Sequence, residues 1–504
     1  MLLAAMPGGS AAGEKAAPKD AAAQAPGAAA AKAEKPAAEK PAAAKAEKPA
    51  AKTPAGPAPR VPDDKNQCIT CHSSPDFAEL QAELEKEGKK DRLRLAVITS
   101  ALAADVHWQK GLRCQDCHGG DPTAEDFAPA HTGHGGLRSL KHADIPAFCG
   151  ECHADTDYMR RYLPSPRTDQ LAEYWTSGHG QKLKASGDDT AVATCISCHD
   201  KPHGSGLKPQ PHGIRAVADL ESPVYRTRLA DTCAKCHSDE KLMKDRTYHN
   251  RPLGHHQNES WRQSVHGKAL LEKGDLSAPT CNHCHGNHGA LPPQVDSVAN
   301  ACGTCHGRAA KLFADTKMKH GFEQSKLPGC VTCHATRVDA GPPDSHLIRV
   351  PTDELLGMEQ GAVCNECHNE QQPKHGVAGA KEAKALREGL DDLKAGIDYA
   401  REILDEADHL GMEVSKPRFD LRKATDALTN ARVQIHSFDP VPVQKILDEG
   451  QGVLSDVQAA ADKALREHDA RRVWLGLTLV PILVVVVVLV LYIRTLPVAK
   501  PVST

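Results

Sequence analysis

A heptad pattern of apolar residues fills the chain between residues 379 and 470. Small and branched apolar side chains recur there in alternating steps of three and four, with charged residues between them. This spacing is typical of helices that pack along one seam. Gly411 and Pro417 interrupt the pattern once, and the stretch SFDPVP from Ser437 interrupts it again. The sequence therefore predicts three helices that form a small bundle or a coiled-coil interface. The seam residues are Leu386, Leu390, Leu393, Ile397, Ala400, Leu404 and Ala407, then Leu421, Ala424, Leu428, Ala431 and Ile435, then Val443, Leu447, Gly450, Leu454, Val457, Ala461 and Ala464.

An uncharged apolar run of 20 residues follows, from Val473 to Tyr492. A helix of this length is long enough to cross a bilayer. Trp474 and Tyr492 lie at its ends, where aromatic side chains anchor a span at the membrane interface. We therefore predict a transmembrane helix over residues 473–492 and a cytoplasmic tail over residues 493–504.

Residues 1–62 show no such periodicity. They consist mainly of Ala, Pro, Lys and Glu, with repeats of the type AEKPAA. A segment with so few aromatic and β-branched residues cannot offset the entropy of ordering, and its regular prolines favour an extended chain. This composition predicts a disordered linker.

The cysteines carry the clearest chemical signal. All 18 belong to nine Cys-x-x-Cys-His motifs. Two thiols at this spacing can each form a thioether to a haem vinyl group, and the adjacent histidine is then the proximal iron ligand. Zinc sites and disulfide frameworks give no reason for a histidine after every cysteine pair. The cysteines are Cys68, Cys71, Cys114, Cys117, Cys149, Cys152, Cys195, Cys198, Cys233, Cys236, Cys281, Cys284, Cys302, Cys305, Cys330, Cys333, Cys364 and Cys367. The motif histidines are His72, His118, His153, His199, His237, His285, His306, His334 and His368.

On these motifs, the chain from Asp63 to Val377 resembles a multihaem cytochrome c. The resemblance implies nine covalently bound c-type haems in a domain over residues 63–378. Only 4% of the residues are aromatic, so the porphyrins are expected to supply most of the buried apolar surface there. The expected fold is a mostly irregular, short-helical cytochrome domain with little strand, an all-α three-helix region over residues 379–470, and one C-terminal transmembrane helix.

The motifs recur in units. Four units contain two motifs each and begin at Cys68, Cys149, Cys233 and Cys302, and a lone motif begins at Cys364. Each unit has an isolated histidine between its two motifs. This module is similar to those of electron-transfer cytochromes from anaerobic respiratory bacteria, in which haems form a chain of close pairs.

The other histidines are candidates for the sixth iron position, which a distal His or Met fills when the haem transfers electrons. The histidines between paired motifs are His107, His179, His266 and His320. A second set follows the second motifs: His131 or His134, His203 or His212, His288 and His346, with His375 for the last haem. We interpret His142, His249, His255, His256 and His283 as solvated or hydrogen-bonded, and Met159 and Met243 as packing residues with ligation as the alternative. His409 and His436, on the predicted helices, could also reach a haem.

The sequence predicts electron transfer, with no catalytic residue assigned. Expected partners are a membrane quinol-oxidising complex and a soluble periplasmic cytochrome or reductase. Because c-type haem is attached outside the cytoplasm, we expect an inner-membrane protein with a periplasmic haem domain, and a signal peptide missing from this start. A net charge of −3 does not favour nucleic acid. The alternative is a multihaem enzyme of the nitrite reductase or hydroxylamine oxidoreductase type with one open haem.

Overall fold

A computed structural model describes residues 61–87, 99–187, 189–199, 213–248, 251–289, 291–292, 295–337, 343–369 and 379–496. Contacts divide the chain into two units, Met1–Arg60 and Val61–Thr504. The first unit, which holds nearly all of the predicted linker, lies outside the described residues. The second unit contains both the motif region, residues 63–378, and the three-helix region.

Short helices make up the described part of the motif region, and the longest has 12 residues. The prediction of a helical fold with little strand is confirmed here. The α-helices are Gln67–His72, Pro75–Lys86, Thr99–Ala104, Val106–Gln109, Cys114–His118, Phe127–Thr132, Ile145–His153, Thr156–Met159, Gln170–Thr176, Gly178–Ser186, Cys195–His199, Leu229–His237, Glu240–Met243, Gln257–Gln263, Val265–Leu271, Cys281–His285, Gly307–Ala314, Lys317–Gln324, Gly329–His334 and Val363–Cys367. The 3₁₀ turns are Asp63–Lys65, Gly133–Gly135, His142–Asp144, Val298–Thr304 and Asp353–Leu355.

Two small antiparallel hairpins supply the strands of the described region. Thr247–Tyr248 pairs with Arg251–Pro252, and Ala335–Arg337 pairs with Pro343–Ile348. Ala335 lies opposite Ile348, so the second strand runs back alongside the residues that follow His334.

A pair of short helices recurs in the second and third units. Gln170–Thr176 leads into Gly178–Ser186, and Gln257–Gln263 leads into Val265–Leu271. In each pair a buried aromatic side chain packs near a buried leucine, Tyr174 near Leu183 and Trp261 near Leu270. The Tyr174 hydroxyl donates to the Ala193 carbonyl at 2.9 Å, and the Trp261 indole N–H donates to Pro279 at 3.2 Å. The sequence repeat is therefore also a structural repeat, with a small side-chain cluster in each copy.

The three-helix region is an antiparallel bundle of Ala380–His409, Ser415–Gln434 and Pro440–Thr495, with the 3₁₀ turn Ile435–Ser437 between the last two. The structure buries every predicted seam residue except Ile435, which is half-buried. Gly389 lies under Leu447, and Gly396 lies under Leu454. The absence of a side chain at these glycines lets the first and third helices approach closely.

The third helix continues without a break through the apolar run. It has 56 residues and is long and apolar enough to span a membrane, and its most apolar window is 0% buried. The bundle helix and the predicted span are therefore one element, Pro440–Thr495. At a rise of about 1.5 Å per residue, roughly 50 Å of helix separates Pro440 from Val473.

The motif region contacts the bundle at the end that lies away from the apolar run. Arg432 forms a two-point ion pair with Asp353, whose Nε–Oδ1 distance is 2.9 Å. The rings of Phe313 and Phe438 pack with centroids 5.9 Å apart. Leu356 packs against the apolar core of the bundle. These contacts join the motif region to the hairpin between the second and third helices.

Candidate haem sites

Each Cys-x-x-Cys-His motif folds as a helical turn. Residues three and four apart lie on the same face of a helix, so the turn presents both thiols and the histidine on one side. Cys281–His285 consists of the motif alone, whereas Leu229–His237 ends with one. The motif at Cys302 begins in a 3₁₀ turn instead. None of the 18 cysteines forms a disulfide bond.

Seven motif histidines face a second histidine from elsewhere in the chain. The two imidazole rings have their centroids 5.9–6.4 Å apart in all seven cases. The pairs, with the motif histidine first, are His72 with His131, His153 with His107, His199 with His288, His237 with His179, His285 with His346, His306 with His266, and His334 with His436.

This separation leaves room for a metal held between the rings. A metal bonded at about 2.0–2.1 Å to one nitrogen of each imidazole holds the two ring centres a little over 6 Å apart. Three of the pairs are also close to parallel, with interplanar angles of 15°, 11° and 15°. The histidines are therefore spaced as two axial ligands of one iron would be.

The second nitrogen of several facing histidines is held by another group. His131 Nδ1 lies 2.6 Å from the Phe127 carbonyl oxygen, and His436 Nδ1 lies 3.0 Å from the Val433 carbonyl oxygen. His107 Nδ1 lies 3.2 Å from Asp105 Oδ1. Metal-ligating histidines almost always donate their other ring N–H in this way, because the bond sets the tautomer and the ring orientation. Nε2 is then free to bind a metal.

Desolvation keeps many of these imidazoles neutral. It lowers the pKa of His179 and of His199 to about 4, and a facing histidine adds to the effect in both cases. Desolvation lowers the pKa of other members of the pairs in the same direction: His153, His237, His266, His285, His334 and His346. A neutral imidazole is the form that binds a metal, so neutral pH suits ligation at these positions.

The cysteines show how the motifs follow one another in space. Within each of the four units, the first cysteines of the two motifs lie close enough for each thiol to shift the pKa of the other. These pairs are Cys68 with Cys114, Cys149 with Cys195, Cys233 with Cys281, and Cys302 with Cys330. The division into units that the sequence repeat suggested is thus a division into pairs of neighbouring thiols.

Successive units are linked through their other cysteines. The second cysteine of one unit's last motif interacts electrostatically with a cysteine of the next motif. These links are Cys117 with Cys152, Cys198 with Cys236, Cys284 with Cys305, and Cys333 with Cys364 and Cys367. The nine motifs therefore form one continuous series in the order of the sequence.

The structure shows which of several histidines predicted from the sequence face a motif histidine. His131, rather than His134, faces a motif histidine, since His134 is 73% exposed and lies 3.6 Å from Asp121. His320 is 64% exposed, pairs with Glu323 at 3.6 Å, and faces no motif histidine in the described part of the chain. The candidates His203 or His212, and His375, lie outside the described residues, as does His249, which the sequence analysis interprets as solvated or hydrogen-bonded.

Other histidines interpreted as hydrogen-bonded have local partners. His142 Nε2 lies 2.7 Å from the Val192 carbonyl oxygen, and His283 Nδ1 accepts from the Thr280 amide at 3.2 Å. His255 and His256 lie against each other. Met243 is buried and Met159 is half-buried. His409 is exposed on the first bundle helix, with Nδ1 2.7 Å from the Asp405 carbonyl oxygen.

His436, which the sequence analysis named as able to reach a haem from the predicted helices, is the pair member that lies outside the motif region. It lies in the 3₁₀ turn between the second and third bundle helices, and its ring faces His334 at 6.1 Å. No repeat places a histidine there, so only a contact across the fold identifies it. The bundle therefore contributes to the site of the eighth motif.

The donor set fits haem better than a bare metal ion. Among the described residues, no group of three or more His, Cys, Asp or Glu side chains is arranged to hold a metal. A structural zinc site needs such a closed shell, whereas a haem iron needs only axial ligands from the protein. Paired histidines beside paired thiols are what covalently attached haem requires.

Comparisons with protein-family models, with curated proteins and with solved structures found no match to this chain.

Proposed function

We propose that this chain is a membrane-anchored nonahaem cytochrome c that transfers electrons. The observation that carries the proposal is the set of seven opposed imidazole pairs, each of which contains the histidine of a Cys-x-x-Cys-His motif. Haem supplies one-electron redox chemistry when it is bound. Two axial histidines leave no position for a substrate, which favours a carrier over a catalyst.

The protein's own residues would hold and orient the groups. The motif thiols form the covalent attachments, and the facing histidines cap the second side. Asp105 and the Val433 carbonyl group orient two of those histidines. The first cysteines of paired motifs lie near each other, so neighbouring attachment sites are close together, which short-range electron transfer needs.

The haem count tests this proposal directly. Mass spectrometry of the denatured, exported chain should show the added mass of nine haems, because thioether bonds survive denaturation. Replacing Cys281 and Cys284 with alanine should remove one haem and leave eight. A chain that carries no covalent haem would overturn the proposal.

The membrane anchor is the second part of the proposal. The helix Pro440–Thr495 is long and apolar enough to span a membrane, and haem attachment outside the cytoplasm implies a periplasmic motif region. A chain that ends after Arg472 should leave the membrane with an unchanged haem spectrum. If the truncated protein still sediments with membranes after a salt wash, another segment anchors it.

The contacts between the motif region and the bundle bear on the partners. They lie at the end of the bundle remote from the apolar run, about 50 Å of helix away. This distance favours exchange with protein partners that extend from the membrane, rather than with quinol inside the bilayer. We therefore keep a membrane quinol-oxidising complex as donor and a soluble periplasmic cytochrome or reductase as acceptor.

One observation keeps an enzyme as the second candidate. No imidazole of a described residue faces His368, whose buried Nδ1 has no hydrogen-bond partner within the described residues. A haem attached at this motif could be the open site of a nitrite or hydroxylamine oxidoreductase. Negligible turnover of nitrite and hydroxylamine is expected of the carrier, and sustained turnover of either would establish the enzyme instead.

A further inference from the structure

We propose that Met318, and not His320, supplies the second axial ligand of the haem attached at Cys364, Cys367 and His368. This inference rests on the proposed function, since it assigns a ligand to one of the nine haems. It follows from a turn that the second, third and fourth units share.

The shared turn has an aromatic residue three positions before a Ser or Thr that caps the next helix. The cap hydroxyl donates to the carbonyl oxygen of that aromatic residue: Ser177 to Tyr174 at 2.6 Å, Ser264 to Trp261 at 2.6 Å, and Thr316 to Phe313 at 2.8 Å. The hydroxyl oxygen of the cap residue in turn accepts from the amide three positions after the cap: Ser177 from Gly180 at 2.9 Å, Ser264 from Gly267 at 3.1 Å, and Thr316 from Lys319 at 3.0 Å. The three turns therefore make the same two hydrogen bonds at equivalent positions.

The facing histidine has a constant place in this turn, two residues after the cap. Ser177 is followed by His179 in this way, and Ser264 by His266. Asp105 caps the equivalent helix of the first unit and is followed by His107. In the fourth unit, two residues after Thr316, the chain has Met318.

His320 lies two residues further along the helix than Met318 and has a different environment. It lies four residues after its cap, the place that Gln181 and Lys268 occupy on the exposed face of their helices. The His-Gly dipeptide, which made His320 resemble His179 and His266, is out of register with the fold. A methyl group on Gly180 or Gly267 would lie 2.1 Å from a backbone oxygen, whereas one on Gly321 would meet nothing within 4 Å.

The facing partners show which motif Met318 serves. The histidine of this turn always faces the first motif of the following unit: His107 faces His153, His179 faces His237, and His266 faces His306. The motif that follows the fourth unit is the lone one at Cys364. Cys333 interacts with Cys364 and Cys367, as Cys284 interacts with Cys305 at the preceding junction. The same relation at the last junction assigns Met318 to His368.

A methionine ligand changes the redox role of the last haem. Methionine opposite histidine raises the reduction potential relative to two histidines. The ninth haem would therefore have the highest potential of the series and collect electrons at the bundle end of the motif region. It would also be six-coordinate, without an open position for a substrate.

The experiment compares the full-length wild-type holoprotein with the variants Met318→Ala and Met318→His. The matched control is His320→Ala. The oxidised wild-type protein should show the far-red absorption band of methionine-ligated ferric haem. Met318→Ala should abolish the band and convert one haem of nine to high spin. Met318→His should abolish the band, remain low-spin and lower the potential of the most oxidising component. His320→Ala should change none of these properties.

Three results would overturn the assignment. One is a wild-type spectrum without the band, together with a high-spin haem in His320→Ala. The second is no spectral change in Met318→Ala, which would transfer the role to another residue, such as His375. The third is an open high-spin haem in the wild type. Mass spectrometry of every variant separates these results from a failure of haem attachment, because nine haems should remain bound throughout.

Discussion

The bundle and the motif region are stabilised in different ways. The bundle buries 20 apolar residues in one continuous cluster. The described part of the motif region is much longer, yet its 13 buried apolar residues are scattered, and the clusters found there contain three or four of them. A chain of short helices with so little apolar core does not offset its conformational entropy through side chains alone.

The comparison indicates what a covalent group would contribute to this fold. Polar caps are buried throughout the motif region, such as Ser177 at 2% exposure and Ser264 at 1%, and they place histidines rather than apolar side chains. The facing imidazoles are spaced as two ligands of one iron would be. The bundle needs no such group, since its seams interlock directly.

Removal of haem should produce the largest difference in stability between the two regions. In a chain produced without haem attachment, amides of residues 63–378 should exchange at rates close to those of an unfolded chain, because most of their apolar burial is lost. Amides of the bundle should remain protected. Hydrogen exchange of the intact apo and holo chains measures this, and an apo motif region as protected as the holo one would refute the comparison.

A core truncation in the bundle should have the next largest effect. Leu393 is fully buried and packs close to Gly450, so Leu393→Ala should lower the free energy of unfolding of the bundle by about 2–5 kcal/mol. Tyr399, which is 53% exposed on the same helix, is the control, and Tyr399→Ala should change it by less than about 0.5 kcal/mol. Urea unfolding followed by helical circular dichroism makes the measurement. Equal effects of the two substitutions would show that the seam is not the source of stability.

Loss of a helix cap in the motif region should lower stability by less than the core truncation does, but it should also change the properties of a haem. Ser264→Ala removes the hydroxyl that caps the helix of His266, and helix caps contribute about 0.5–2 kcal/mol. The spin state or potential of the haem between His266 and His306 should also shift, which a redox titration would detect. Ser325→Ala, at an exposed helix end, should alter neither property. A loss of stability in Ser264→Ala with an unchanged redox titration would show that the cap does not position the histidine ligand.

The ion pair between the two regions should have the smallest effect. The side chain of Arg432 is 42% exposed and that of Asp353 is 12% exposed, and ion pairs at the surface contribute about 0.2–1 kcal/mol. A double-mutant cycle with Arg432→Ala and Asp353→Ala should give a coupling energy in this range that decreases with added salt. A much larger coupling energy would mean that the two regions depend on this contact for their association.

Local patterns accounted for the elements of this protein. The heptad seam from Leu386 to Ala464 predicted the buried face of the bundle, because side-chain direction in a helix follows directly from spacing. The motifs predicted their own helical turns and chemistry for the same reason. The apolar run from Val473 predicted a helix long enough for a membrane.

The pairing of histidines depended on the tertiary structure. His288 faces His199 in the preceding unit, and His436 faces His334 from the far end of the bundle hairpin. Recurrence in a sequence identifies equivalent positions but carries no information about which distant residue each one meets. The register of the fourth unit shows the same limit, since the His-Gly dipeptide selects His320 while the capped turn selects Met318. A motif consists of neighbouring residues, whereas an axial pair is a contact between two elements that only the packed chain brings together.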